Sequence, residues 1–265
     1  MRLYAGGFAV LAPGLDGWES AREVLAGRRP YAPSDLTPPS PTSLPPNERR
    51  RASAAVRLAV AAAEAAVAAS RLPATDLASV FGSSNGDGAV VGSVLEALSV
   101  PKPEVSPTAF HNSVHNTPAA YWAIGSGCRG PSTSLGCHDD TFAAALLRAA
   151  SQVAADGRPV LLCVYDAPFP PPLAAVRPTP LPFAVAMVLT PGEVPTSQAR
   201  FDIRLVPEPP PGPVLPRNEA LIPLYRANPA ARSLRLLEAV AGGEAGPVWI
   251  AYLGDSHLRV DLGPC

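Results

Sequence analysis

Charged side chains are scarce in this chain: Asp, Glu, Lys and Arg make up 16% of its 265 residues, where soluble domains carry roughly 25%. A surface so poor in charge points to a protein partly covered by a partner. The charges present balance, 21 Lys and Arg against 22 Asp and Glu for a net charge of -1, so neither a nucleic-acid binder nor a polybasic membrane anchor is supported. The four cysteines, Cys128, Cys137, Cys163 and Cys265, have no C-x-x-C spacing and indicate neither a disulfide framework nor a zinc ribbon. The longest stretch free of Asp, Glu, Lys and Arg, residues 105–128, holds two His, two Asn and two Pro and is unsuited to crossing a bilayer. Residues 3–12 are apolar but broken by glycine, without the basic flank or small-residue cleavage pattern of a signal peptide. A cytoplasmic location is the expectation.

What the chain has in quantity is apolar residues, at 47%, and proline, with 34. The prolines cluster, so they mark loops within a folded chain. Residues 2–10 read as a strand and 18–26 as a short helix, followed by a surface loop over 28–46 with seven prolines. A long helix is predicted from Asn47 to about Ser70, with Val56, Val60, Ala63 and Val67 at helical spacing. Residues 77–82 and 90–98 form a strand-loop-helix unit, and further helices are expected at 113–124 and 139–155, with a short strand at 132–135. The uninterrupted apolar runs 159–165 and 183–189 have the pattern of strands covered on both faces. These readings give an α/β domain over residues 1–190. Residues 191–265 read as a proline-rich linker with one strand at 201–206, then a helix at 230–241 and a terminal hairpin of 248–253 with 257–262.

Two candidate chemistries follow from spacing alone. His111 and His115 stand four apart, with Cys128, Cys137, His138, Asp139 and Asp140 downstream, a loose zinc ligand set. Against it, Pro107 and Asn112 put His111 ahead of the helix, and no Glu follows it as in zincins. Gly82-Ser83-Ser84-Asn85-Gly86 matches the G-x-S-x-G nucleophile elbow, which would make Ser84 the nucleophile of a thioesterase or other hydrolase. Only His257, inside the terminal hairpin and near Asp255, lies late enough to serve it. A structural turn is the better use of those glycines.

The segment from Ser106-Pro107 through Asn116 to Gly127-Cys128-Arg129-Gly130-Pro131-Ser132-Thr133-Ser134 resembles the stretch leading to the nucleophile of β-ketoacyl-acyl-carrier-protein synthases, the thiolase-fold condensing enzymes. Residues 8–14 with Trp18 and Gly27 resemble the family's opening strand and helix, and residues 183–189 its last strand before the second half. The resemblance implies the amino-terminal half of a thiolase-like fold, a mixed sheet between helices, with the carboxyl-terminal helix and hairpin as an extension. It implies no cofactor and no metal.

Continuing the register puts Asp139 where the family has its cysteine. A thiolate at a helix amino terminus is stabilised by the dipole and attacks a thioester. A carboxylate there is able to cap the helix, but its attack would give a reactive anhydride, so nucleophilic catalysis is lost. Cys137 lies two residues early and serves a condensing acyltransferase only in a shifted register. The family's second-half histidine motifs do not occur. The chain thus resembles truncated, chain-length-factor-like synthases of aryl polyene clusters, which implies a non-catalytic subunit paired with a full-length ketosynthase. An acyl carrier protein would be met through the complex, and polyene, polyketide or fatty acyl chains would be elongated. The same resemblance implies a subunit interface along Ser132, Thr133, Ser134, Leu135 and Gly136, and puts Thr108, Ala109, Phe110 and His111 beside the partner's acyl tunnel. The alternative for Phe110 is a ring packed beneath the helix starting near Ser113.

Overall fold

A computed structural model describes residues 1–207, 210 and 214–265. Part of the proline-rich stretch read at 191–216, namely 208–209 and 211–213, therefore lies outside the described residues.

In chain order, β1 (Arg2–Ala12) is followed by β2 (Leu15–Asp16), α1 (Trp18–Leu25), α2 (Pro46–Arg51), α3 (Ala54–Ser70), β3 (Ala78–Gly82) and α4 (Gly88–Leu98). Then come α5 (Pro107–Asn112), α6 (Thr117–Ser126), β4 (Ser132–Leu135), α7 (Thr141–Asp156), β5 (Val160–Asp166), α8 (Leu173–Val176) and β6 (Phe183–Thr190). The carboxyl-terminal part supplies β7 (Ser197–Val206), α9 (Ile222–Ala227), α10 (Leu234–Gly242), β8 (Gly246–Ala251) and β9 (His257–Gly263). Among the described residues the strands form one mixed sheet in the order β4-β3-β5-β6-β1-β7-β9-β8, with β2 folded back on β1. Only β4, β3 and β5 pair in parallel.

The two apolar runs behave as their composition demands, since every residue of β5 and β6 is buried. Alternation sends Val160, Leu162, Val164, Val185 and Met187 to one core with Phe142, Leu146 and Val153 of α7. Leu161, Cys163, Tyr165, Ala186 and Val188 go to the other, with the alanine-rich α3. The small side chains of α3 let it lie close to the sheet, and Gly7 serves the same approach. It has φ 56° at an irregularity in β1, where a methyl group would overlap Ala66 O and the Ser70 side chain.

Three expected helices are redrawn. The one expected from Asn47 breaks at Ala52–Ser53, because Ser53 accepts a hydrogen bond from Val56 N at 3.2 Å and so caps α3 from within the run. The one expected over 113–124 starts later, as α6 with Pro118 in its first turn, and a short helix that was not expected, α5, opens at Pro107 ahead of it. The third, at 230–241, begins as a 3-10 turn, Pro229–Ser233, before α10. The carboxyl-terminal residues continue the same sheet, β7 pairing with β1, β9 with β7, and β8 with β9.

Candidate functional site

The reading at position 139 directs attention to the carboxyl ends of β3, β4 and β5, where three turns meet. The turn after β4 is tight: Asp140 N donates to Cys137 O at 2.9 Å, and Thr141 Oγ1 accepts from Cys137 N at 2.8 Å while donating to His138 O at 2.7 Å. His138 takes φ 49° to make the bend. Helix α7 starts only at Thr141, with Asp140 as the residue before it and no side-chain cap. Asp139 therefore does not cap the helix, correcting the sequence expectation. Its Oδ1 instead accepts from Arg177 Nη2 at 2.5 Å, and Asp140 Oδ2 accepts from Leu253 N in the terminal hairpin at 3.1 Å.

The turn after β3 is the glycine-bracketed serine pair, and its hub is Asp166 at the end of β5. Asp166 Oδ1 accepts from Ser83 Oγ at 2.8 Å, Ser84 N at 2.9 Å and Asn85 N at 3.2 Å. Ser83 Oγ in turn accepts from Gly86 N at 2.9 Å. Gly82 to Gly86 is thus a structural turn wrapped on a buried carboxylate. Burial pushes that carboxyl up to about 6, against the hydrogen bonds from Ser83, Ser84 and Asn85 that favour its ionised form. Its second oxygen, Oδ2, is buried without a partner.

The elbow lacks a base. Ser84 Oγ and His257 Nδ1 are each buried without a hydrogen-bond partner, and four strands separate β3 from β9 in the sheet. Cys137 is no better placed, because burial and the nearby Asp140 push its thiol up and disfavour the thiolate. His111 lies in α5 and His115 in the turn before α6, so the two do not share a helix face. Among the described residues no three His, Cys, Asp or Glu side chains stand together as metal ligands.

The third turn is the connection from β5 to β6, which sequence reasoning passed over. Arg177 Nε donates to Asn85 Oδ1 at 2.9 Å, and Asn85 Nδ2 donates to Thr179 Oγ1 at 2.9 Å. Arg177 and Asp166 leave a signal in the sequence, being the only charged residues between Arg158 and Glu193. A lone acid and a lone base in so apolar a stretch call for internal partners.

On the flank of this site the surface is apolar. Within α4 only Gly88 is buried, and Leu95, Leu98, Val100, Phe110, Val114 and Ile124 are exposed. Phe110 is 68% exposed, so it is not packed beneath the helix after Ser113. Among the described residues β4, against which α6 packs, is an edge strand with one neighbour. Pro131 O and Leu135 O accept from Ser79 N and Ser83 N of the β3 side. By alternation the backbone groups of Ser132 and Ser134 point to the open edge.

The chain belongs to the β-ketoacyl synthase family, its residues 24–209 matching the β-ketoacyl synthase N-terminal domain. No curated protein matches it. Among solved structures it is similar to a chain of a ketosynthase in complex with its chain length factor from Xenorhabdus doucetiae. That match is 24% identical with TM-score 0.73, covering 98% of this chain and 99% of the other. A chain of the AntDE:AntF complex, a type II polyketide synthase acyl-carrier protein with its ketosynthase bound to the hexaketide, matches at 10% identity and TM-score 0.74, covering 100% and 99%. The ketosynthase from module 6 of the bacillaene synthase of Bacillus subtilis 168 matches at 12% identity and TM-score 0.59, covering 88% of this chain but 46% of that one. These likenesses give the fold: a mixed sheet between helices, corresponding to about half of a full thiolase-like ketosynthase. Among the described residues no helix is long and apolar enough to cross a membrane.

Proposed function

We propose that this chain is the non-catalytic, chain-length-factor-like subunit of a ketosynthase heterodimer that elongates polyene, polyketide or fatty acyl chains held on an acyl carrier protein. The observations that carry the reading are the open edge of β4 and the uncovered apolar side chains of α4 and α5. An open strand edge and an uncovered apolar patch each call for a partner. Ser132, Thr133, Ser134, Leu135 and Gly136 would form that interface, with Thr108, Ala109, Phe110 and His111 reaching the partner's acyl tunnel. The loss of chemistry is supported by Asp139, a carboxylate engaged by Arg177 at the position read as the family's nucleophile. The solved complexes of a ketosynthase with its chain length factor lend the analogy.

The test is co-expression with a full-length ketosynthase, followed by co-purification and an acyl-thioester assay of the complex and of each chain alone. The expected result is a stable heterodimer active only with the partner's cysteine intact. Condensation or hydrolysis by this chain alone, or an acyl adduct on Asp139, Cys137 or Ser84, would overturn the proposal.

A further inference from the structure

Among the described residues β1 has no neighbouring strand on one side between Gly6, the last residue to pair with β7, and Leu11, the first to pair with β2. The gap opens into a cleft of about 680 Å³, large enough for a small ligand. Its floor is the stacked rings of Phe8 and Trp18, 4.8 Å between centres, and its wall is the exposed Ala65, Ala68 and Ala69 of α3. These surfaces are fixed before any ligand arrives. Trp18 Nε1 donates to Gln198 Oε1 at 3.0 Å, and Thr196 Oγ1 donates to Ser70 O at 2.9 Å, which ties the approach to β7 to the end of α3. Gly6 lets that approach lie flush, since a methyl group there would come 2.5 Å from Thr196 O.

The charges of the cleft are uneven. Arg22 of α1 and Arg71, just after α3, line it together with one acid, Glu19. Among the described residues neither arginine forms an ion pair, and Arg22 Nε is buried without a hydrogen-bond partner. A buried donor left unpaired is unfavourable, and an anionic oxygen is the acceptor that answers it best. The Gln198 oxygen is taken by Trp18, so its amide nitrogen is left as a further donor. We infer that this cleft binds a small organic anion, a carboxylate or a phosphate ester, with its head on Arg22 and Arg71 and a flat apolar body along the alanines of α3, over the Phe8 and Trp18 rings. The site shares no residue with the Asp139 turn, the β4 edge or α5, so it stands or falls apart from the proposed heterodimer.

The experiment titrates the full chain by isothermal calorimetry with naphthoate, with naphthyl phosphate and with the uncharged naphthylmethanol. The expected result is saturable binding of an acid about ten-fold or more tighter than the alcohol, as charge-assisted hydrogen bonds allow, the tighter acid identifying the head group. Arg22→Gln should weaken that binding by about ten-fold or more. Glu19→Gln, which removes the opposing charge, should tighten it by about two- to three-fold. Ala68→Trp, at an exposed position, should fill the cleft and abolish binding while leaving the melting temperature of the unliganded chain unchanged. Arg71 is exposed as well, and Arg71→Gln should weaken binding by about three-fold, which keeps the test decisive if the Arg22 variant melts early. Absence of saturable binding up to millimolar concentration, equal affinity for acid and alcohol, or binding that survives both Ala68→Trp and the arginine substitutions would each overturn the inference.

Discussion

The two ends of the sheet are finished in opposite ways. Toward the β8 end, Arg259 of β9 and Arg204 of β7 both bind Asp261 of β9, at 2.7 and 2.9 Å, and Arg2 of β1 and Arg200 of β7 both approach Asp202 of β7, at 3.0 and 3.5 Å. The Arg259 guanidinium also lies 5.6 Å from the Trp249 ring centre. The edge strand β8 itself carries no charge, but Pro247 within it lacks the backbone donor that pairing with another chain would use. At the other end the edge strand β4 carries serine and threonine instead, and Leu95 and Leu98 of α4, Phe110 of α5 and Val114 just after α5 are exposed to solvent. The two ends of the sheet therefore differ in what they present: charged pairs toward one, hydroxyl and apolar side chains toward the other. Two acids follow the same division, one half-buried and one buried. Asp261 is drawn below the usual carboxylate range by Arg259 and Arg204, which outweigh desolvation, whereas Asp166, near the β4 end and without a cation, is pushed up to about 6 by burial.

The comparison breaks most sharply at Ser134. Its backbone N–H points to the open edge, so Ser134→Pro removes a donor that a partner strand would use and leaves the β3 ladder intact. Loss of co-purification with the ketosynthase is expected, with a monomer melting temperature close to wild type. Thr133→Pro is the internal control, because its backbone faces β3 and its substitution should lower the melting temperature of the isolated chain. If the Ser134 variant still forms the complex, the β4 edge is not the interface.

The next effect is the pH dependence set by Asp166. Its carboxyl is raised in the folded chain to about 6, from an ordinary aspartate value of about 3.9. Its contribution to stability is thus fully present below about pH 4 and is lost as pH rises through about 6, a change of about 3 kcal/mol. Asp166→Asn keeps an oxygen for the three donors and places an amide nitrogen at the unpartnered Oδ2. It should flatten that dependence, so that wild type loses about 3 kcal/mol relative to it between pH 4 and pH 8 in urea denaturation. Asp166→Ala strands Ser83 Oγ, Ser84 N and Asn85 N, and should destabilise by about 3 kcal/mol or more at any pH. A wild-type curve parallel to that of Asp166→Asn would show that the carboxyl is not raised.

Smaller still is the response of the charged end. Arg259→Ala or Arg204→Ala should change stability by about 1 kcal/mol or less, as exposed pairs do, and raise the Asp261 titration midpoint observed by NMR. Complex formation should be unaffected. Loss of the complex from either substitution would mean that the β8–β9 end also meets a partner, and the contrast between the two ends would fall.

What the sequence disclosed depended on the range of the interaction involved. β5 and β6 were legible because strands buried on both faces read as unbroken apolar runs, and the Ser132–Leu135 strand was legible as a short run between two helices. The break at Ser53 was hidden by alanine, which is compatible with helix on either side of a cap. The late start of α6 was written in Pro118, and the separate α5 in Pro107, since proline is favoured in the first turn of a helix. Of the candidate site, the resemblance singles out Asp139, but the Arg177 that binds it is 38 residues away, and Asp166 reaches Ser83 across 83 residues. No local periodicity reports such pairings. The surface charge deficit, by contrast, pointed to a covered surface, and the structure locates apolar exposure on α4, α5 and α6.

The last prediction concerns Phe110, where the expected effect on the chain itself is the smallest. With its ring 68% exposed, Phe110→Ala should change the stability of the isolated chain by less than about 0.5 kcal/mol, against about 3 to 5 kcal/mol for a ring in a core. Any larger consequence must then arise in the complex, where a wall at the end of an acyl tunnel acts as a steric stop. One methylene in an apolar pocket shifts discrimination by roughly 1 to 3 kcal/mol, enough to move a product distribution. Phe110→Ala should accordingly lengthen or broaden the chains made by the heterodimer, and Ala109→Phe, one residue earlier in α5, should shorten them. Mass spectrometry of the products, alongside melting curves of the same variants, separates the cases. Complexes that form normally and yield unchanged masses from both variants would remove α5 from the tunnel and leave it as an interface helix only.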